Sequence, residues 1–144
     1  MLFRSLVVPR AASASPILIY GGRLNVRNAA ETLSLTQKDE EIRRLDELGF
    51  ARGAIDSWTK SGTTVTVMLL QFYDDNGASQ FVDHYAPSDG TAITGGRWYP
   101  GRNSRATFRR AGIAVVIDVS ATTEADANVG LTLAQEQYTL LPEA

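Results

Sequence analysis

One pattern is written twice in this chain, and it constrains the fold more than any other feature. Residues 62 to 86 run from Gly62 through an extended apolar segment, Thr63 to Tyr73, into the acidic turn Asp74-Asp75-Asn76-Gly77, then a helix-patterned stretch closing on His84-Tyr85. Residues 112 to 139 repeat it: Gly112, the extended Ile113 to Ser120, a turn containing Thr122-Thr123-Glu124, and a longer helical pattern carrying Gln137-Tyr138. A shorter strand-like stretch precedes each copy, Arg52 to Thr59 and Arg105 to Arg110. Connections of about two to five residues cannot cross over, so each strand pair must close as an antiparallel hairpin. The expected fold is α+β: an antiparallel sheet flanked by helices and built from a repeated ββα unit.

The apolar pattern within the strands says which faces are covered. Thr63 to Tyr73 first alternates Thr with Val and then turns apolar on both faces at Val67, Met68, Leu69, Leu70 and Phe72. A strand buried on one side keeps alternating, so this one belongs near the sheet centre with cover on its second face. Ile113, Val115, Ile117 and Val119 share one face of the other long strand. The closing helices supply matching stripes, Ala78, Phe81, Val82 and Tyr85 in one copy, Ala127, Leu131, Ala134, Tyr138 and Leu141 in the other. Upstream, Asn25 caps a short helix with Val26, Ala29, Ala30 and Leu33 on one stripe. Thr36 is the expected cap of a second helix, in which Ile42, Leu45 and Leu48 recur before Gly49 and the intervening charges make a solvated face. These two helices are the natural cover for the central strand.

Residues 1 to 22, rich in Pro, Ser, Ala and Gly, read as an extended arm in which Ile17 to Tyr20 forms an edge strand; residues 23 to 144 read as a single domain. Leu2-Phe3-Arg4-Ser5 is what CTC TTC CGA TCT encodes, the end of a common short-read sequencing adapter. This suggests an environmental gene whose natural start lies upstream; an ordinary coding start is the competing reading. The chain has no cysteine, which removes disulfides and thiolate chemistry, and its net charge of −2 argues against wholesale polyanion binding. No apolar run approaches the roughly 18 to 20 residues that span a bilayer.

Leu48-Gly49-Phe50-Ala51-Arg52-Gly53, Trp58, Gly62-Thr63-Thr64-Val65-Thr66-Val67, Leu70-Gln71-Phe72 and Gly77-Ala78, with the lead-in Leu6-Val7-Val8-Pro9-Arg10 and Leu24 to Ala30, resemble a group of small actinobacterial proteins. Most of that group are of unknown function and are exported lipoproteins or lie outside a membrane anchor. The likeness covers most of the chain and is weak from Pro87 to Arg105. It implies the Mog1/PsbP-like fold and a place that is extracytoplasmic or membrane-anchored through a missing N-terminal segment. It carries no catalytic motif and no cofactor.

The chemistry-bearing residues are few. His84, the only histidine, falls off its helix's apolar stripe and reads as an exposed helix-end residue. One histidine with scattered carboxylates makes no zinc site, and Asp74-Asp75-Asn76-Gly77 lacks the closing positions of a calcium loop. Gly21-Gly22 and Gly95-Gly96 match no phosphate-loop spacing and read as turns. The polar asymmetry lies in Arg97, Arg102, Arg105, Arg109 and Arg110, five arginines within fourteen positions free of acids and interleaved with Trp98, Tyr99 and Phe108. Residues 31 to 89, by contrast, hold eleven acids and five bases.

A basic segment with aromatics is suited to an anionic partner, so Arg97, Trp98, Tyr99, Arg102 and Arg105 are the candidate binding residues, on a loop from Ala86 to Arg105. The competing reading pairs Arg105 and Arg109 with acids on a neighbouring strand or helix, and places Trp58 and Trp98 in the core or at its rim. The favoured function is a non-enzymatic extracytoplasmic binding or accessory module for an anionic ligand or cell-envelope protein, with no cofactor. The alternative is a small enzyme or ligand-pocket protein with a cavity between sheet and helices, lined by His84, Asp56 and a tryptophan. Nucleic acid is disfavoured by the acidic remainder.

Overall fold

Strand pairing follows from turns too short to do anything else. In the computed structural model, which describes residues 17–34, 36–60, 62–86, 88–100, 103–120, 134–135, 137–139 and 141, β2 (Phe50–Lys60) folds back on β3 (Thr63–Phe72) with Lys60 opposite Thr63. In the same way β6 (Asn103–Arg110) folds back on β7 (Ile113–Ser120) with Arg110 opposite Ile113. Each hairpin is antiparallel and closes through two residues, as the sequence requires. The hairpins join through β3 and β7, also antiparallel, from Thr64 opposite Ser120 to Gln71 opposite Ile113.

Three further strands complete the sheet. β1 (Ile17–Leu24) pairs along β2 as one edge, so the expected edge strand extends to Leu24. At the other edge, β4 (Thr91–Ile93) pairs with β5 (Gly96–Tyr99), which pairs with β6. The seven-stranded sheet is antiparallel throughout, in the order β1-β2-β3-β7-β6-β5-β4.

Helices lie on both faces, which explains why β3 loses its alternation. One core holds Val65, Val67, Leu69, Phe108, Val115 and Ile117 under the terminal helical residues Ala134 and Leu141. The other holds Ile55, Met68, Leu70, Phe72, Ala114 and Val116 under α1 (Val26–Leu33), α2 (Lys38–Leu48) and α3 (Asp75–Tyr85). Burying each large side chain contributes roughly 1.5–3 kcal/mol. Of the terminal stripe, Ala134 and Leu141 are buried and Tyr138 half-buried, while Ala127 and Leu131 lie outside the described residues.

The helix ends match the sequence with one exception. Asn25 accepts from the Asn28 N–H at 2.8 Å and Asp74 from the Gly77 N–H at 2.8 Å, while Gly49 ends α2 in the left-handed conformation at φ 84°. Thr36 is not the cap of α2: Gln37 occupies that position without a side-chain hydrogen bond, and Ser34 Oγ accepts the Gln37 N–H instead. The charged face of α2 is also less solvated than expected. Glu41 is buried because α2 packs against both α1 and α3, and Arg44 compensates it at 2.8 Å. No described helix is long and apolar enough to cross a membrane.

Candidate functional site: a two-arginine cleft beside the β4–β5 hairpin

The stretch expected as a loop from Ala86 to Arg105 contains a hairpin. Thr91-Ala92-Ile93 and Arg97-Trp98-Tyr99 are too short to display a period of two, and only pairing with the free edge of β6 reveals them as strands. Gly95-Gly96 is the turn that the sequence indicates. Gly95 has φ 82° and its carbonyl accepts the Arg109 N–H at 3.1 Å, tying the hairpin tip to β6. A Cβ on Gly96 would run into the Thr107 carbonyl, so only glycine lets β5 lie this close.

Strand alternation then divides the candidate residues between the two faces. Trp98, opposite Ala106, points into the core with Phe108 and is 9% exposed. Arg97 lies opposite Thr107 and Tyr99 opposite Arg105, so these two and Arg105 share the face covered by α3. Arg102 lies outside the described residues. Tyr99 stays exposed. Arg105 is engaged by a two-pronged contact with Asp118 on β7, at 2.6 and 3.1 Å. That hydrogen bond is the main cause holding the guanidinium above its usual pKa, against an opposing effect of burial. For Arg105 the pairing anticipated across the sheet is realised.

Arg109 does not follow it. Two positions beyond Thr107, it lies diagonal to Arg97 on the same face, and its Nη1 donates to the Ala111 carbonyl at 3.3 Å. Arg97 Nη1 donates to the Gly90 carbonyl at 3.2 Å. Among the described residues neither guanidinium closes an ion pair. The two face a polar cleft of about 510 Å³ whose opposite wall is Ser79, Val82 and Asp83 of α3, with the helix's C-cap Ala86 and then Ser88 beyond. Sequence reasoning passed over Ser79 and Asp83 as site residues, yet their spacing of four, with Val82 between them at three from Ser79, marks a single helical face.

Across the sheet from this cleft, Trp98, Ile93, Ala134 and Tyr138 form the apolar lining of a second cavity of about 650 Å³, with Thr91, Thr94, Gln135 and Thr139 as its polar groups. Arg110 holds the terminal helical residues over it. Its Nη1 donates to the Tyr138 and Leu141 carbonyls at 3.1 and 3.2 Å, and its guanidinium lies 5.0 Å from the Tyr138 ring centre. A cavity between sheet and helix therefore exists, with different residues from those expected. Asp56 shares the face of Ala54, in the core beneath the terminal helical residues, whereas α3 carries His84 on the other side of the sheet. His84 is exposed, edge-on to Tyr85. Trp58's side chain is outside the described set. Among the described residues, no three His, Asp or Glu side chains stand close enough to hold a metal ion.

Comparison of the chain with protein-family models, with curated sequences and with solved structures gives no match.

Proposed function

We propose that the protein is a non-enzymatic binding module that holds an oxyanion between Arg97 and Arg109. The observation that carries this is the placement of two unpaired guanidiniums on one face of adjoining strands, opening onto a polar cleft. Two guanidiniums that close no ion pair with a described carboxylate favour an anion that accepts from both. The resemblance of residues 48–78 to exported actinobacterial proteins supports placing this module outside the cytoplasmic membrane. The repeated ββα unit and the Mog1/PsbP-like fold belong to the same proposal, supported by the two hairpins at the sheet centre and by helices on both faces.

Titration of the full chain with inorganic phosphate and citrate tests it. Binding should weaken as salt rises, since these charges act through a Debye length of about 8–10 Å. Arg97→Glu should reduce affinity on the order of tenfold, about 1.4 kcal/mol, while leaving the melting temperature nearly unchanged. Absence of salt-sensitive binding to either anion rejects the reading.

A second reading rests on the cavity beside Trp98, whose indole N–H is buried with no partner among the described residues. It would admit a small apolar ligand offering one acceptor. Titration with 2-naphthol should shift Trp98 emission, and the shift should vanish in Trp98→Phe. Identical responses of the two proteins remove this alternative.

A further inference from the structure

We infer that the group held by Arg97 and Arg109 is a phosphate that carries a primary ammonium a few bonds away, the ammonium resting on Asp83. This rests on the oxyanion reading above and specifies its ligand. A carboxylate offers two oxygens and is satisfied by one guanidinium bound side-on. Two guanidiniums on diagonal positions of adjoining strands, with Ser79 on the opposite wall, call for an acceptor with more oxygens in three dimensions. A phosphate meets that demand.

Asp83 supplies the rest of the argument. It projects into the same cleft from the helix wall, one turn beyond Ser79, and forms no ion pair with either arginine among the described residues. Opposite charges thus face one cavity of about 510 Å³ without closing on each other. For a plain anion this carboxylate is a repulsive neighbour. For a ligand with separated charges it is the second anchor, and the polarity across the cleft fixes which end goes where. The two guanidiniums and one carboxylate sum to one positive charge. A phosphomonoester of about −1.5 to −2 joined to one ammonium is near the opposite value, so charge balance favours a monoester such as phosphoethanolamine over a neutral phosphodiester headgroup.

Calorimetric titration of the full chain with phosphoethanolamine and with ethyl phosphate, which lacks the ammonium, reads this directly. Phosphoethanolamine should bind about tenfold tighter at low salt. Asp83→Asn should bring the two affinities to within about twofold, chiefly by weakening phosphoethanolamine and relieving repulsion of ethyl phosphate. Persistent ethyl phosphate binding shows that the variant is folded, and Asp83→Ser provides an independent second replacement. Co-sedimentation with phosphatidylcholine vesicles doped with sphingosine 1-phosphate, a lipid phosphomonoester that carries a primary ammonium, and not with pure phosphatidylcholine, would assign the same chemistry to a lipid headgroup. Equal binding of the two soluble probes, unaffected by Asp83→Asn and with no vesicle preference, overturns the ammonium site and leaves the oxyanion reading intact. If neither soluble probe nor vesicle binds, both fall.

Discussion

Asp56 and Arg105 are charged residues half-buried in the same sheet, with opposite consequences. Burial alone raises the Asp56 carboxyl above its ordinary value of 3.8, with no partner among the described residues to oppose it. The folded chain therefore keeps this proton to higher pH than the unfolded chain does. Below the ordinary value both states are protonated and nothing is lost; as pH rises through the folded value stability falls, and the penalty persists above it. Asp56→Asn should accordingly raise the melting temperature at pH 7, and the gain should shrink as the pH of the melt is lowered past about 4. An equal gain at both pH values would assign the effect to packing. Arg105, by contrast, is matched by Asp118. Both side chains are about two-fifths exposed, so a double-mutant cycle with Arg105→Ala and Asp118→Ala should give a coupling of only about 0.5–1 kcal/mol. Arg105 was recognisable as a cross-strand partner because acid and base lie at matching distances from a two-residue turn. Arg109, four residues further on, looked equivalent, but its position on β7 is filled by Ala114.

At the level of elements, the sequence was legible wherever a period ran long enough. Ten residues of β3 and eleven of α3 expose their faces, whereas three residues of β4 and four of β5 do not. The hairpin that builds the site exists through tertiary pairing with β6, which no local pattern records. Its consequences, Trp98 inward and Arg97 outward, were hidden with it. Close approaches are equally invisible in sequence. Gly77, in the first turn of α3, abuts the end of α2 so tightly that a Cβ would collide with the Leu48 carbonyl. Gly77→Ala should cost about 1–3 kcal/mol by forcing the two helices apart, despite alanine's better helix propensity. Its exposed neighbour Asn76→Ala should stay within about 0.5 kcal/mol, and similar denaturation midpoints for the two variants would contradict the contact.

For the whole molecule, the order of strands in space differs from their order in the chain. The chain builds β1, β2 and β3 from one edge to the centre, then moves to the far edge for β4 and works back to β7. Each half of the sheet is thus one continuous segment, and the segments meet only along β3 and β7 within the sheet. Ser88 and Asp89, between α3 and β4, are exposed. Cleaving the chain after Asp89 should therefore yield two fragments that reassociate when mixed, with recovery of the thermal transition. Fragments that remain unfolded together would mean that the connection itself is required.

The same order has a consequence during synthesis. β3 carries an unbroken apolar run from Val67 to Leu70, and its second edge is covered only when β7 emerges, about forty residues later. At ~5–20 residues per second that leaves the edge open for about 2–8 seconds on each nascent chain. Until then it is a flat apolar strand with unpaired N–H and C=O groups, the kind that pairs with a neighbouring copy. The yield of folded protein should depend on how crowded the ribosomes are, through a seam that in the finished molecule is buried on both faces.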